Sequence, residues 1–198
     1  MKERNDGYIY YEYHKQTDKE IIRDVAWTSV FRWIYAIIFL FIVLSLIFSV
    51  FFRVVAVDGS SMEPTLHDKD IILADAIGYK AEIGDVVLLK MSDEDDVLIV
   101  KRIIATEGQT VDIDYNSKTV TVDGKILDEP YISEMLLPIN NEMEYPYTVP
   151  RGHVFVMGDN RAESVDSRNK NIQAIAEEKI VGDVIARVYP FSDFITFE

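Results

Sequence analysis

The sequence predicts a mostly β protein: antiparallel sheets in a partly closed, barrel-like domain with a small β insertion, preceded by one N-terminal transmembrane helix. Two observations predict it. The run from Trp33 to Phe52 holds no charged residue, and beyond it short segments rich in branched apolar residues alternate with turns bearing Gly, Pro and Asp. A hydrophobic content of 48% in 198 residues leaves enough apolar surface for a membrane span and a core as well.

Residues 1–32 mix charges with tyrosines (YIYYEYHKQ) without a firm period, and read as a cytoplasmic tail with one short helix leading into the span. Residues 33–52 are apolar on every face, unlike a buried core helix, and at about 1.5 Å per residue they cover roughly 30 Å, the thickness of a bilayer core. The leader and the apolar run are both too long for a cleavable signal peptide, and Arg53, Val54 and Val55 follow where a small-x-small cleavage site would stand. The span therefore reads as a retained signal anchor. Arg23 and Arg32 before it and Arg53 after it give a slight bias that places the N-terminus inside.

Residues 53–198 form the folded domain. Strands are expected at 54–58 (VVAVD), 70–75 (DIILAD), 85–90 (DVVLLK) and 97–106 (VLIVKRIIAT), then a hairpin of TVDID and KTVTVDG about the turn Tyr115–Ser117. The acidic run Ser92–Asp96 reads as a solvated turn rather than a calcium site. From about Asp123 to Arg151, Pro130, Pro138 and Pro146 break regular structure, so about 110–150 is expected to be a small insertion beside the main sheet. HVFVMGDN and KIVGDVIARVYP close the set of strands, and 172–179 is the one stretch with a helical look.

Seven of the 20 basic and six of the 34 acidic residues precede residue 54, which leaves 13 against 28 beyond it. A surplus of 15 negative charges repels phosphate backbones and excludes nucleic-acid binding through that domain. Cysteine is absent, which removes disulfides and thiolate metal sites. There is no HExxH, no glycine-rich phosphate loop and no imidazole cluster, so no cofactor or metal is expected. His14, His67 and His153 carry no motif that pairs them with an acid and a serine, and read as surface or turn residues.

The first candidate site segment is Gly59-Ser60-Ser61-Met62-Glu63-Pro64-Thr65-Leu66, which follows a strand. A serine there is either a turn residue or a nucleophile, and a nucleophile needs a base. Lys101 is the candidate base. Alternation in VLIVKRIIA places it on one face with Val97, Ile99, Ile103 and Ala105, all apolar, where lost hydration disfavours the ammonium form. Bringing a lysine from about 10.4 to 7 costs about 5 kcal/mol, which burial can supply. The alternative is a lysine that snorkels to the sheet edge. Arg102, on the opposite face, requires an acid. The third segment, Gly158-Asp159-Asn160-Arg161-Ala162-Glu163-Ser164-Val165-Asp166-Ser167-Arg168, is either a solvated loop or a support in which a hydroxyl orients the amine and acid–arginine pairs hold the loop.

In SSMEPTL (60–66), GDVV (84–87), VKRII (100–104) and GDNRAESVDSR (158–168), taken in that order, the chain resembles the type I signal peptidases of the prokaryotic, Ser-Lys kind. The resemblance runs from the span to Tyr189. It implies a membrane-bound serine endopeptidase that removes signal peptides from exported preproteins through an acyl-enzyme, with small residues preferred at −1 and −3. It further implies Ser61 as nucleophile and Lys101 as base, with Ser164 holding the amine. Asp159, Asp166 and Arg168 would support the loop, Arg102 pairing with Asp159. Implied partners are preprotein signal peptides, the lipid bilayer and the export machinery, with the catalytic domain extracytoplasmic at the cell membrane. The oxyanion would be met by the Ser61 backbone N–H; where some relatives carry a second hydroxyl this chain has Gly59, which leaves Ser60 or a backbone group. A second departure is Ala105-Thr106-Glu107-Gly108-Gln109 in place of Gly-x-Pro-Gly-Asp, so the turn after the lysine strand must be built differently. Two other readings stand beside this one: a tethered adaptor of the same fold without chemistry, and a Ser-Lys peptidase dedicated to one substrate.

Overall fold

The computed structural model describes residues 4–91, 97–132, 136–191 and 195–197. The acidic run Ser92–Asp96 and the side chain of His14 lie outside what is described. A single helix, α1, spans Arg4–Phe51, so the tail expected to hold one short helix is helical from Arg4 onward. The sequence explains this after the fact: no proline precedes Pro64, and Gly7 is the only glycine in the helix. Within α1, Trp27–Phe51 is 25 residues long and apolar enough to cross a membrane, with none of it buried within the protein. Side chains such as Trp33 and Phe41 are largely presented to the surroundings, a state that hydrocarbon stabilises and water does not.

The remainder, from Val50 onward, is a separate compact unit of antiparallel strands. They are β1 (Phe52–Ala56), β2 (Ile71–Asp75), β3 (Val86–Lys90), β4 (Leu98–Ala105), β5 (Thr110–Asp114), β6 (Thr119–Val122), β7 (Lys125–Ile126), β8 (Tyr147–Thr148), β9 (His153–Met157), β10 (Ile175–Ala176), β11 (Ile180–Tyr189) and β12 (Ile195–Thr196). The main sheet runs β1-β2-β11-β3-β4-β9-β10, with β12 also on β11; the smaller one runs β7-β6-β5-β8 and covers Thr110–Thr148. Register shifts in β11 and between β4 and β9 add the local twist that curls the main sheet into a half-barrel.

Both faces of the main sheet are covered at β3. Val86 and Leu88 join Met62, Leu66, Ile72 and Val184 in one core cluster, while Val87 and Leu89 join Ile103, Val154 and Val156 in another. The small sheet packs Val111, Ile113, Val120 and Val122 against Ile104, Phe155 and Met157 from the back of β4 and β9. The stretch 172–179 departs from its helical expectation. Gln173 adopts φ +58, and Ile175 and Ala176 pair with Val154 and His153; only Glu177–Lys179 makes a 3-10 turn. The strand partner offered by β9 outweighs a weak local helix preference. The turn after β4 is closed by a side chain instead of a proline: the Thr106 N–H and hydroxyl both donate to Gln109 Oε1.

Candidate active site

Ser61 leaves β1 on a turn that is anchored at both ends. Gly59 sits at φ +92, a left-handed conformation that glycine adopts without strain, and its N–H donates to Asp68 Oδ1 at 2.9 Å. After it, Met62 and Leu66 are buried in the core, and the Leu66 N–H donates to Met62 O. The hydroxyl of Ser61 is thus presented by a short arch whose far side is core. A buried ion pair between Arg187 on β11 and Asp70, which also accepts the His67 N–H, holds the end of that arch to the sheet.

Lys101 reaches this hydroxyl from β4. It is 4% exposed, and its Nζ stands 2.7 Å from Ser61 Oγ and donates to Val100 O at 2.9 Å. The alternation that predicts its burial holds locally: Ile99 and Ile103, two residues to either side, pack with one cluster. It fails further out, because Val97 is exposed and the bulge after Ile103 turns Ala105 toward the other cluster. Burial holds the Lys101 amine down to about 8, against the upward pull of Asp166 and Asp159; Arg168 adds to the lowering. An amine at that value abutting a hydroxyl is equipped to take its proton.

The loop after β9 secures the arch. The Asn160 N–H donates to Ser61 O, its Nδ2 to Ser60 O, and the Ser60 hydroxyl donates to Glu163 Oε2. That last bond engages the one proton Ser60 has, so its hydroxyl is not directed toward an oxyanion. The Ser61 N–H has no hydrogen-bond partner among the described residues. Gly158 is required by contact: a Cβ there would stand 2.3 Å from both Ser61 O and Ser164 Oγ.

Arg102 finds its acid. Nε and Nη2 grip Asp159 at 2.9 and 2.7 Å, and Nη1 donates to Gly84 O. Asp159 also accepts the Thr65 hydroxyl, which ties this pair back to the arch that carries Ser61. Arg168 makes the equivalent bidentate pair with Asp166, whose Oδ2 accepts the Gly158 N–H. Ser164 departs from expectation. It is buried beside Gly158, but its Oγ has no hydrogen-bond partner among the described residues and does not hold the Lys101 amine. His67 has an exposed side chain 3.9 Å from Asp70, and His153 lies on β9 bonding Arg151 O; neither meets Ser61.

Two residues of the proline-bearing segment complete the support, and sequence reasoning missed both. Glu129 forms a bidentate pair with Arg161, whose side chain is fully buried, and the Tyr131 ring lies 3.9 Å under the Arg102 guanidinium. The signal for the first was present: an arginine inside the 158–168 motif, beyond the two that the loop's acids satisfy, requires a distant carboxylate.

An antiparallel half-barrel that presents a serine hydroxyl to a buried amine belongs among the serine hydrolases. A family model described as signal peptidase, peptidase S26, matches residues 30–189. Signal peptidase I of Bacillus amyloliquefaciens is 36% identical over 92% of this chain and 96% of its own. Signal peptidase IB of Staphylococcus aureus is 33% identical over 84% and 93% respectively. A crystal structure of a signal peptidase I from Enterococcus faecalis V583 aligns with a TM-score of 0.41 at 26% identity, over 53% of this chain and 97% of that one. The chain therefore belongs to the signal peptidase I family of peptidase S26, membrane-anchored enzymes that cleave signal peptides, and is a serine endopeptidase.

Proposed function

We propose that this protein removes signal peptides from exported preproteins through a Ser61–Lys101 dyad. The observation that carries the reading is the 2.7 Å approach of Lys101 Nζ to Ser61 Oγ, made by an amine that burial holds to about 8. Neutral Lys101 takes the hydroxyl proton as Ser61 Oγ attacks the scissile carbonyl. The resulting oxyanion is met by the Ser61 N–H, and collapse gives the acyl-enzyme as Lys101 returns the proton to the leaving amine. Lys101 then draws a proton from water, and hydrolysis frees the signal peptide. Asp159, Arg102, Asp166 and Arg168 act by holding the loop that grips Ser61.

The substrate has an edge to pair with. β9 covers Arg102–Ala105, so on that side Leu98–Lys101 carries no strand partner among the described residues. An extended segment preceding the scissile bond can add there as a strand, its alternate side chains at −1 and −3 facing the site, where small residues fit. The apolar stretch of α1 anchors the enzyme in the bilayer, with the N-terminus cytoplasmic and the domain from residue 53 outside, where export machinery delivers its substrates.

The test is incubation of the detergent-solubilised protein with a preprotein bearing an Ala-x-Ala site, followed by sequencing of the new N-terminus. Ser61→Ala and Lys101→Ala should each lose cleavage by at least about 100-fold; undiminished cleavage by either would sink the dyad.

A further inference from the structure

A cavity of about 320 Å³ opens between the segment Pro138–Asn140 and the loop Ala162–Val165, with Asn169 at its edge. Its wall is one residue away from the nucleophile on two counts. Glu163, in that wall, accepts the hydroxyl proton of Ser60, and Ser164 packs so tightly on Gly158 that a single added carbon would strike both Ser164 Oγ and Ser61 O. Ser164 lines the cavity but is only 2% exposed, and its buried hydroxyl has no hydrogen-bond partner among the described residues.

Position decides what enters. The unpaired edge of β4 runs from Leu98 to Lys101 and ends where β9 begins to pair at Arg102. Residues before the scissile bond occupy that edge. The cavity lies with the loop that follows β9, so it is on offer to the chain that continues past the bond. Its volume suits one side chain of ordinary size. Its chemistry is uneven: Pro138, Ile139 and Val165 are apolar, while Glu163 is an exposed carboxylate with only one oxygen bonded among the described residues.

We propose that this cavity is the subsite for the first residue of the mature chain, and that Glu163 makes it favour a basic or neutral side chain over an acidic one. The assignment rests on the Ser61–Lys101 reading, because that dyad defines which bond is cut. Glu163, exposed in the wall, supplies the charge that discriminates. As the bond breaks, the emerging α-ammonium of the mature chain meets the same carboxylate, so release passes through a site of complementary sign.

The experiment uses the full-length enzyme in detergent and preproteins that differ only at the residue after the cleavage site: Ala, Lys, Glu or Phe. In low salt, kcat/KM for Lys should exceed that for Glu by about fivefold, and the ratio should shrink in 0.5 M salt, as expected for an exposed charge. Glu163→Gln keeps an acceptor for Ser60 and should bring the ratio to about one. Asn140→Trp, which narrows the cavity, should lower cleavage of the Phe substrate more than that of the Ala substrate. A wild-type enzyme indifferent to this residue, or a Lys-to-Glu ratio unchanged in Glu163→Gln, overturns the subsite. If Ser61→Ala is inactive in the same assay, that failure belongs to the subsite alone; cleavage by Ser61→Ala would instead overturn the dyad beneath it.

Discussion

Lys101 joins the proposed chemistry and stability in one side chain. At a pKa of about 8, about one amine in ten is neutral at pH 7, and that fraction rises about tenfold for each pH unit below 8. The rate of acylation should follow: kcat/KM measured from pH 6 to 10 should climb with a slope near one, bend near pH 8 and then level. A flat profile across pH 7–9 would remove the neutral amine from the mechanism. The same burial has a cost in the folded state. Unfolded, the amine titrates near 10.5, so between about 8 and 10.5 the unfolded chain binds the extra proton and stability rises with pH. Below 8 both states are protonated and the penalty, about 3 kcal/mol, is fully present. Lys101→Met should therefore abolish cleavage yet unfold at higher urea than the wild type at pH 7, with the gap narrowing as pH rises from 8 toward 10.5. This direction was legible in the sequence because it requires only that Ile99 and Ile103 be apolar and alternate with Lys101. The solitary Ser164 hydroxyl was not legible, since its direction depends on how the loop folds back over Gly158.

Among the elements, the strands were readable and the pieces that clamp the site were readable only in part. Branched residues between turn formers located β1 to β6, β9 and β11 to within a few residues. The long helix before Trp27 was missed because the tyrosines and charges there keep no amphipathic period, and the stretch 172–179 fell short of its helical expectation because a strand partner took Ile175 and Ala176. Arg102 and Asp159 could be paired from sequence, since an arginine on the face opposite Lys101 demanded an acid. Glu129 and Tyr131 could not, because the segment that carries them has no period to place it. That segment is nevertheless a strap: Glu129 holds buried Arg161, Tyr131 lies under Arg102, and Leu137 O accepts from Arg168. Removing one partner of a buried ion pair leaves a charge without compensation. Glu129→Ala should cost about 3–5 kcal/mol in urea unfolding, and Glu129→Gln, which keeps one acceptor, clearly less. The close approach at Gly158 gives a sharper test of the clamp. Gly158→Ala puts a carbon 2.3 Å from Ser61 O, a backbone atom that can yield only by moving Ser61, the proposed nucleophile. A loss of about 1–3 kcal/mol in stability with a far larger loss of cleavage is expected; a variant with wild-type cleavage would show that the arch tolerates displacement.

On the scale of the whole molecule, charge and hydrophobicity divide the chain at the same place. The residues up to 53 are close to neutral and include an apolar helix of which nothing is buried by the described residues; those beyond carry a surplus of 15 negative charges. Once α1 sits in a bilayer, the folded domain is confined to one side of it. In the proposed topology the weak excess of arginine before the span favours an inward N-terminus, and acidic residues contribute little to that choice, so the domain's large negative charge does not oppose it. The chain contains no cysteine, which makes the orientation measurable without background. Asn116, exposed in the turn between β5 and β6, can be changed to Cys without touching the site, and Thr17→Cys places a thiol in the part of α1 that precedes the apolar stretch. A maleimide that cannot cross membranes, added to intact cells, should label Asn116→Cys at once and Thr17→Cys only after lysis. Both variants should retain cleavage, which shows that the labelled population is the active one. The reverse pattern would place the Ser61–Lys101 pair in the cytoplasm, on the wrong side of the membrane from translocated preproteins, and the reading of this enzyme as their processing peptidase would fall with it.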